Sequence, residues 1–151
     1  SFWHHHGLIE TLYQGSHTFC VIRNPLDRIL SEYRFQNLPD HVSSFHATLA
    51  QWKIDVEENP FCYDNHLTPQ HLFAEKCNHV LLFDNHLEQS VCRLVQQYGI
   101  TPRTLLRENV STQEYQHIRS PEIISLENRE WIESYYAKDF EWYDRLLLNT
   151  C

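Results

Sequence analysis

The chain of 151 residues contains no methionine and opens on Ser1, so it is expected to be a piece of a longer protein whose N-terminal part lies upstream. No stretch of it approaches the roughly 20 apolar residues of a membrane span, and no signal-like apolar segment opens it. Lysine is scarce, three residues against nine arginines, and the formal charge is −8. Broad binding to nucleic acid or anionic membrane needs dense Lys and Arg to neutralise many phosphates, so that class is excluded and any anion must be held focally. There is no CxxC, and the five cysteines (Cys20, Cys62, Cys77, Cys92 and Cys151) are an odd number. Cys20 and Cys92 fall inside apolar periodic runs, where a buried free thiol is the expected outcome, and a reducing compartment is favoured over an oxidising one. The triplet Asn109-Val110-Ser111 is too easily met by chance to imply secretion. Repeats, low-complexity tracts and linkers are also missing. Residues 1–151 therefore read as one domain, with 42% hydrophobic and 13% aromatic residues to build a packed core.

What is present is an alternation of strand and helix signals. "HTFCVI" (17–22) predicts a short buried strand, and the following helix runs from Pro25 to Gln36. Asn24 suits the N-cap and Pro25 the first helical position, where its missing N–H costs nothing. Leu26, Ile29, Leu30 and Tyr33 recur at helical spacing as the core face, leaving Asp27, Ser31 and Arg34 on the other side. A second helix is predicted over 43–59, a proline-punctuated loop over 59–70, a buried strand "HVLLF" over 79–83 and a helix over 87–98 stopped by Gly99 and Pro102. Asp84 and Asn85 read as N-caps. One aromatic-rich helix from Ser125 to Leu147 closes the chain. The pattern predicts an α/β fold with a parallel sheet and flanking helices.

In such a sheet, ligands lie beyond the C-terminal strand ends, where the next helix aims its free N–H groups. Arg23 stands at that place and Ser31 follows eight residues later. A planar guanidinium with a hydroxyl suits one phosphate. Spacing equally allows Arg23 to pair with a carboxylate such as Asp27, and Arg28 either to join the anion or to pair with Glu32 one turn on.

"VIRNPLDRILSEYRF" (21–35) resembles the 3′-phosphate motif of sulfotransferases that use 3′-phosphoadenosine 5′-phosphosulfate (PAPS), in which a strand-end arginine and a serine eight residues later hold that phosphate. "DNHLTPQ" (64–70), "VLLFDNHLEQSVCRLVQQYGI" (80–100) and "SYYAKDFEWYDRL" (134–146) resemble, in the expected order, segments of the carbohydrate-type, membrane-associated and bacterial branch. The resemblance implies a three-layer, P-loop-kinase-like sulfotransferase fold. It also implies transfer of a sulfuryl group from PAPS to a carbohydrate or glycolipid hydroxyl, with adenosine 3′,5′-bisphosphate as product, no metal, and Arg23, Ser31 and Arg28 on the donor. The family's 5′-phosphosulfate loop carries a lysine followed by Ser or Thr. Lys53, Lys76 and Lys138 precede Ile54, Cys77 and Asp139, so that strand–loop–helix is expected upstream of Ser1.

Some glycan sulfotransferases place a catalytic histidine a little ahead of the phosphate strand, which implies His5, then His6 and His4, as the base in "FWHHHGLIETL" (2–12), the alternative being surface or partner-packing histidines or the edge of a tag. An imidazole accepts a proton near neutrality. His66, Asn65 and Gln70 either touch the acceptor or order their loop. The resemblance favours a bacterial-type cytoplasmic setting, with the Golgi lumen or a membrane association as the alternative. A degenerate, non-catalytic domain of the same fold is the second reading. A zinc module of Cys62, His66, His71, Cys77 and His79 is disfavoured, since three, four, five and one intervening residues form no paired knuckles.

Overall fold

The computed structural model describes residues 15–36, 45–104 and 124–149. The first strand, β1 (Phe19–Ile22), runs directly into helix α1 (Pro25–Gln36). Asn24 makes the turn: its Oδ1 accepts the N–H groups of Leu26 at 3.0 Å and Asp27 at 3.3 Å, and its carbonyl accepts the N–H of Arg28 at 2.9 Å. Two orphan donors are thereby satisfied, as an N-cap requires, and the Arg28 bond is the first rung of the helix's own ladder. Ile29, Leu30 and Tyr33 face the core as their spacing predicted. Glu32 and Arg34 are buried too, so Arg34 is not on a solvent face.

Helix α2 (Phe45–Glu58) lays a stripe of Phe45, Leu49, Trp52 and Val56 against that face. Tyr33 meets Phe45 edge-on at 5.2 Å between ring centroids. The core continues through Leu67, Ile124, Ile132 and Tyr136. Each such side chain contributes roughly 1.5–3 kcal/mol by leaving water.

After a loop and the short α3 (His71–Ala74), strand β2 (His79–Leu82) pairs with β1 in parallel, Phe19 opposite His79 and Ile22 opposite Leu82. Helix α4 (Leu87–Gln97) ends as its glycine predicts: Gly99 takes φ +71°. Its N–H donates to Gln96 O at 3.0 Å while Ile100 N–H reaches back to Val95 O at 3.1 Å, the double bond of a Schellman cap. At the start of α4 the N-cap position belongs to His86 rather than to Asp84 or Asn85, and Asp84 Oδ1 accepts the His86 N–H at 2.8 Å.

The closing helix is two helices, α5 (Leu126–Tyr135), capped by Ser125 Oγ, and α6 (Ala137–Asn149). The break falls at Tyr136, at φ −104° and ψ 23°. No proline or glycine marks it; Tyr136 is buried and its hydroxyl is bonded across the molecule to Leu67 O at 2.7 Å. Helices α3 and α6 lie on β1, and α4 and α6 on β2.

The α/β class with a parallel sheet and flanking helices is as the sequence predicted; among the described residues the sheet has two strands. The strands are less buried than their apolar runs suggested: Ile22 and Leu82 are buried, whereas Phe19 is 40% exposed. The main core lies instead among α1, α2, α5 and the 62–67 loop. Among the described residues no helix is long and apolar enough to cross a membrane.

Candidate functional site

At the C-terminal end of β1 the peptide of Arg23 is gripped on both sides by one side chain. Its N–H donates to Gln70 Oε1 at 2.9 Å, and its carbonyl accepts from Gln70 Nε2 at 2.9 Å. The amide of Gln70 thus serves as a ladder partner where the strand pairing has ended. Phe83, directly after β2, donates its N–H to Ile22 O at 2.7 Å and sits 52% exposed. The Arg23 guanidinium carbon lies 5.2 Å from the centre of its ring. Ser31 is half-buried further along α1. The strand end therefore brings together a guanidinium, a helix N-terminus and an open aromatic face, which can take an anion attached to a flat ring.

The 59–71 loop is tied to this strand end and to the rest of the molecule. Tyr63, Asp64 and Asn65 all take positive φ, 51°, 52° and 65°. For non-glycine residues such a left-handed turn costs roughly 1–2 kcal/mol each and persists only where the surroundings enforce it. The enforcement is visible. Arg28 donates from Nη1 to Thr68 O at 2.9 Å and from Nη2 to His66 O at 2.7 Å and Asn65 O at 3.4 Å. Thr68 Oγ1 donates to Pro60 O at 2.8 Å. The Tyr63 hydroxyl donates to Asp55, and burial together with that carboxylate pushes its pKa up to about 12. Burial likewise raises the Tyr136 phenol, keeping it a neutral donor to Leu67 O.

Asp139, fully buried on α6, closes the far end of the loop. Its Oδ2 accepts the Gln70 N–H at 2.7 Å, and its Oδ1 accepts the N–H and Nδ1 of His71, both at 2.8 Å. A carboxylate from the last helix thus serves the buried N–H groups at the start of α3 that lack a partner within the helix, work usually done by a local N-cap.

These contacts reassign several residues. Of the two roles open to Gln70, touching the acceptor or ordering its loop, the contacts favour the structural one: its amide is bonded to the Arg23 peptide and it is buried. Asn65 turns its Oδ1 to the Thr68 hydroxyl at 3.4 Å, within its own loop. Arg28 is a clamp on loop carbonyls rather than the partner of Glu32. Glu32 instead holds His66, Oε2 to Nδ1 at 2.8 Å, and the His66 side chain stays 44% exposed. His5, His6 and His4 lie outside the described residues. The cysteines and histidines of the zinc reading have other employments. Cys62 packs on the core, His66 and His71 bind carboxylates, and His79 meets Tyr98. Among the described residues no three His, Cys, Asp or Glu are grouped to hold a metal. Cys20 and Cys92 are free but only half-buried; burial and the adjacent Cys77 push the Cys20 thiol up to about 12.

Sequence reasoning missed Phe83, Tyr136, Asp139 and the pairing of Glu32.

The model of the sulfotransferase family matches residues 3–144, nearly the whole chain. No curated protein and no solved structure matches it. On that match, this chain belongs to the sulfotransferase family.

Proposed function

We propose that the chain transfers a sulfuryl group from PAPS to a hydroxyl of a carbohydrate or glycolipid-type acceptor. The observation that carries the donor half is Arg23: its peptide is locked by Gln70 and its guanidinium lies by the open ring of Phe83. On this reading Arg23 and Ser31 bind the 3′-phosphate and Phe83 offers a face to the purine, while Arg28 keeps the neighbouring loop in place. The acceptor oxygen attacks sulfur in line, the bond from sulfur to the bridging phosphate oxygen breaks, and adenosine 3′,5′-bisphosphate leaves. The acceptor's proton passes to a base, which the resemblance assigns to His5, His6 or His4. Positioning and charge stabilisation supply most of the rate.

Calorimetry with adenosine 3′,5′-bisphosphate tests the donor half on the full-length protein. Arg23→Ala removes a charge-assisted contact and is expected to cost about 1.5–3 kcal/mol of affinity, and Ser31→Ala about 1 kcal/mol. Equal affinity in Arg23→Ala and parent removes Arg23 from the site.

The acceptor is expected to be neutral or sparsely charged, because nine arginines are spread along a chain with twenty acidic residues. A densely anionic glycan needs a strongly basic cleft. Transfer assays in which heparan- or chondroitin-type polymers are the best acceptors refute this.

A further inference from the structure

We propose that Phe35 and His66 form the acceptor subsite, a sugar ring packing on Phe35 while one of its hydroxyls hydrogen-bonds the outward nitrogen of His66. This deepens the sulfotransferase reading above and rests on it.

Phe35 is 65% exposed at the end of a helix whose inner face is core. Its ring centre lies 5.8 Å from that of His66, the planes inclined by 52°. On α1 it stands four residues after Ser31, so the two share one helix face a turn apart. The subsite therefore adjoins the serine assigned to the donor's phosphate. An aromatic face is electron-rich, and the C–H groups on one side of a pyranose meet it favourably.

His66 is held from three directions and left open on the fourth. Glu32 Oε2 takes Nδ1 at 2.8 Å, Arg28 holds the His66 carbonyl at 2.7 Å, and the left-handed turn at 63–65 fixes the chain before it. The other carboxylate oxygen of Glu32 is anchored by Gln36 Nε2 at 2.7 Å. With Nδ1 committed to the carboxylate, Nε2 is the nitrogen that remains for a ligand, and Glu32 determines which tautomer presents it. The carboxylate of Glu32 is bonded to this ring and the guanidinium of Arg28 to the His66 carbonyl, so one charge of each sign stands beside the subsite. Neither is left over for a charged sugar, and the hydroxyls of an uncharged hexose suit it.

The test follows transfer from labelled PAPS by the full-length protein to methyl β-galactoside, methyl β-glucuronide and 4-nitrophenol, with adenosine 3′,5′-bisphosphate affinity measured on the same preparations. The galactoside is expected to be the best of the three. Phe35→Ala should raise its KM about 10-fold with kcat and nucleotide affinity unchanged, and Phe35→Trp should restore it. His66→Ala should raise KM in the same way. An unchanged KM in Phe35→Ala overturns the subsite, as does a preference for 4-nitrophenol or the glucuronide. A fall in kcat at constant KM in His66→Ala overturns it too, since the imidazole would then be taking the proton. A parent protein that does not bind the nucleotide overturns the donor reading itself, and the subsite with it.

Discussion

Replacing His5 with alanine is expected to lower kcat by about 10²–10⁴-fold, the range for loss of a general base. The residues "WHHHG" precede the phosphate strand, and three consecutive side chains cannot all face one site, so the loss should be concentrated in one variant of His5, His6 and His4, with His5 the first to make. Affinity for adenosine 3′,5′-bisphosphate should stay at the parental value, because the groups assigned to its 3′-phosphate, Arg23 and Ser31, belong to the β1–α1 turn and to α1. The same variant should lose an ionisation near neutrality from its pH–rate profile. If all three alanine variants keep parental turnover, the base lies outside this stretch.

Asp139→Ala is expected to be the most destabilising single substitution in the described part of the chain. It removes one fully buried carboxylate and leaves the N–H groups of Gln70 and His71 and the imidazole of His71 without their acceptor. Breaking a buried, hydrogen-bonded charge in this way costs about 3–5 kcal/mol, or roughly 10 °C in Tm for a chain of this length. Asp139→Asn keeps an acceptor oxygen and should lose less. Gln70 is oriented by the same contact, so the folded fraction of Asp139→Ala should also bind the nucleotide more weakly, as the Arg23 peptide loses its clamp. Thermal melts and calorimetry on both variants check this. A melting point for Asp139→Ala within a degree or two of the parent would show that the carboxylate is not needed to hold the loop.

The two predictions depend on different levels of the structure. The turn from β1 into α1 was legible in the sequence because its parts are close along the chain. Asn24 and Pro25 start a helix wherever they stand before an apolar repeat, and Arg23 is carried to the strand end by the same turn. Gly99 likewise announces the end of α4, because the reversal there needs a positive φ. The start of α1, the stop of α4 and the place of Arg23 therefore follow from local chemistry and periodicity.

The loop that completes the site was not legible, and distance along the chain is the reason. Glu32 meets His66 across 34 residues, Gln70 meets Arg23 across 47, and Asp139 meets Gln70 across 69. No period or cap rule connects such pairs. Read locally, Glu32 is a solvated helix residue, Gln70 a free amide and Asp139 one more acid in an acidic helix. The break at Tyr136 is of the same kind: its flanking residues favour a continuous helix, and the buried bond from its hydroxyl to Leu67 goes with the interruption. The sequence by itself determined the strand-end arginine, the helix that follows it and the α/β alternation. Only the tertiary structure decided that Gln70 grips the Arg23 peptide and that Glu32 presents His66, because a buried polar group takes whatever partner the packed chain brings within hydrogen-bonding reach.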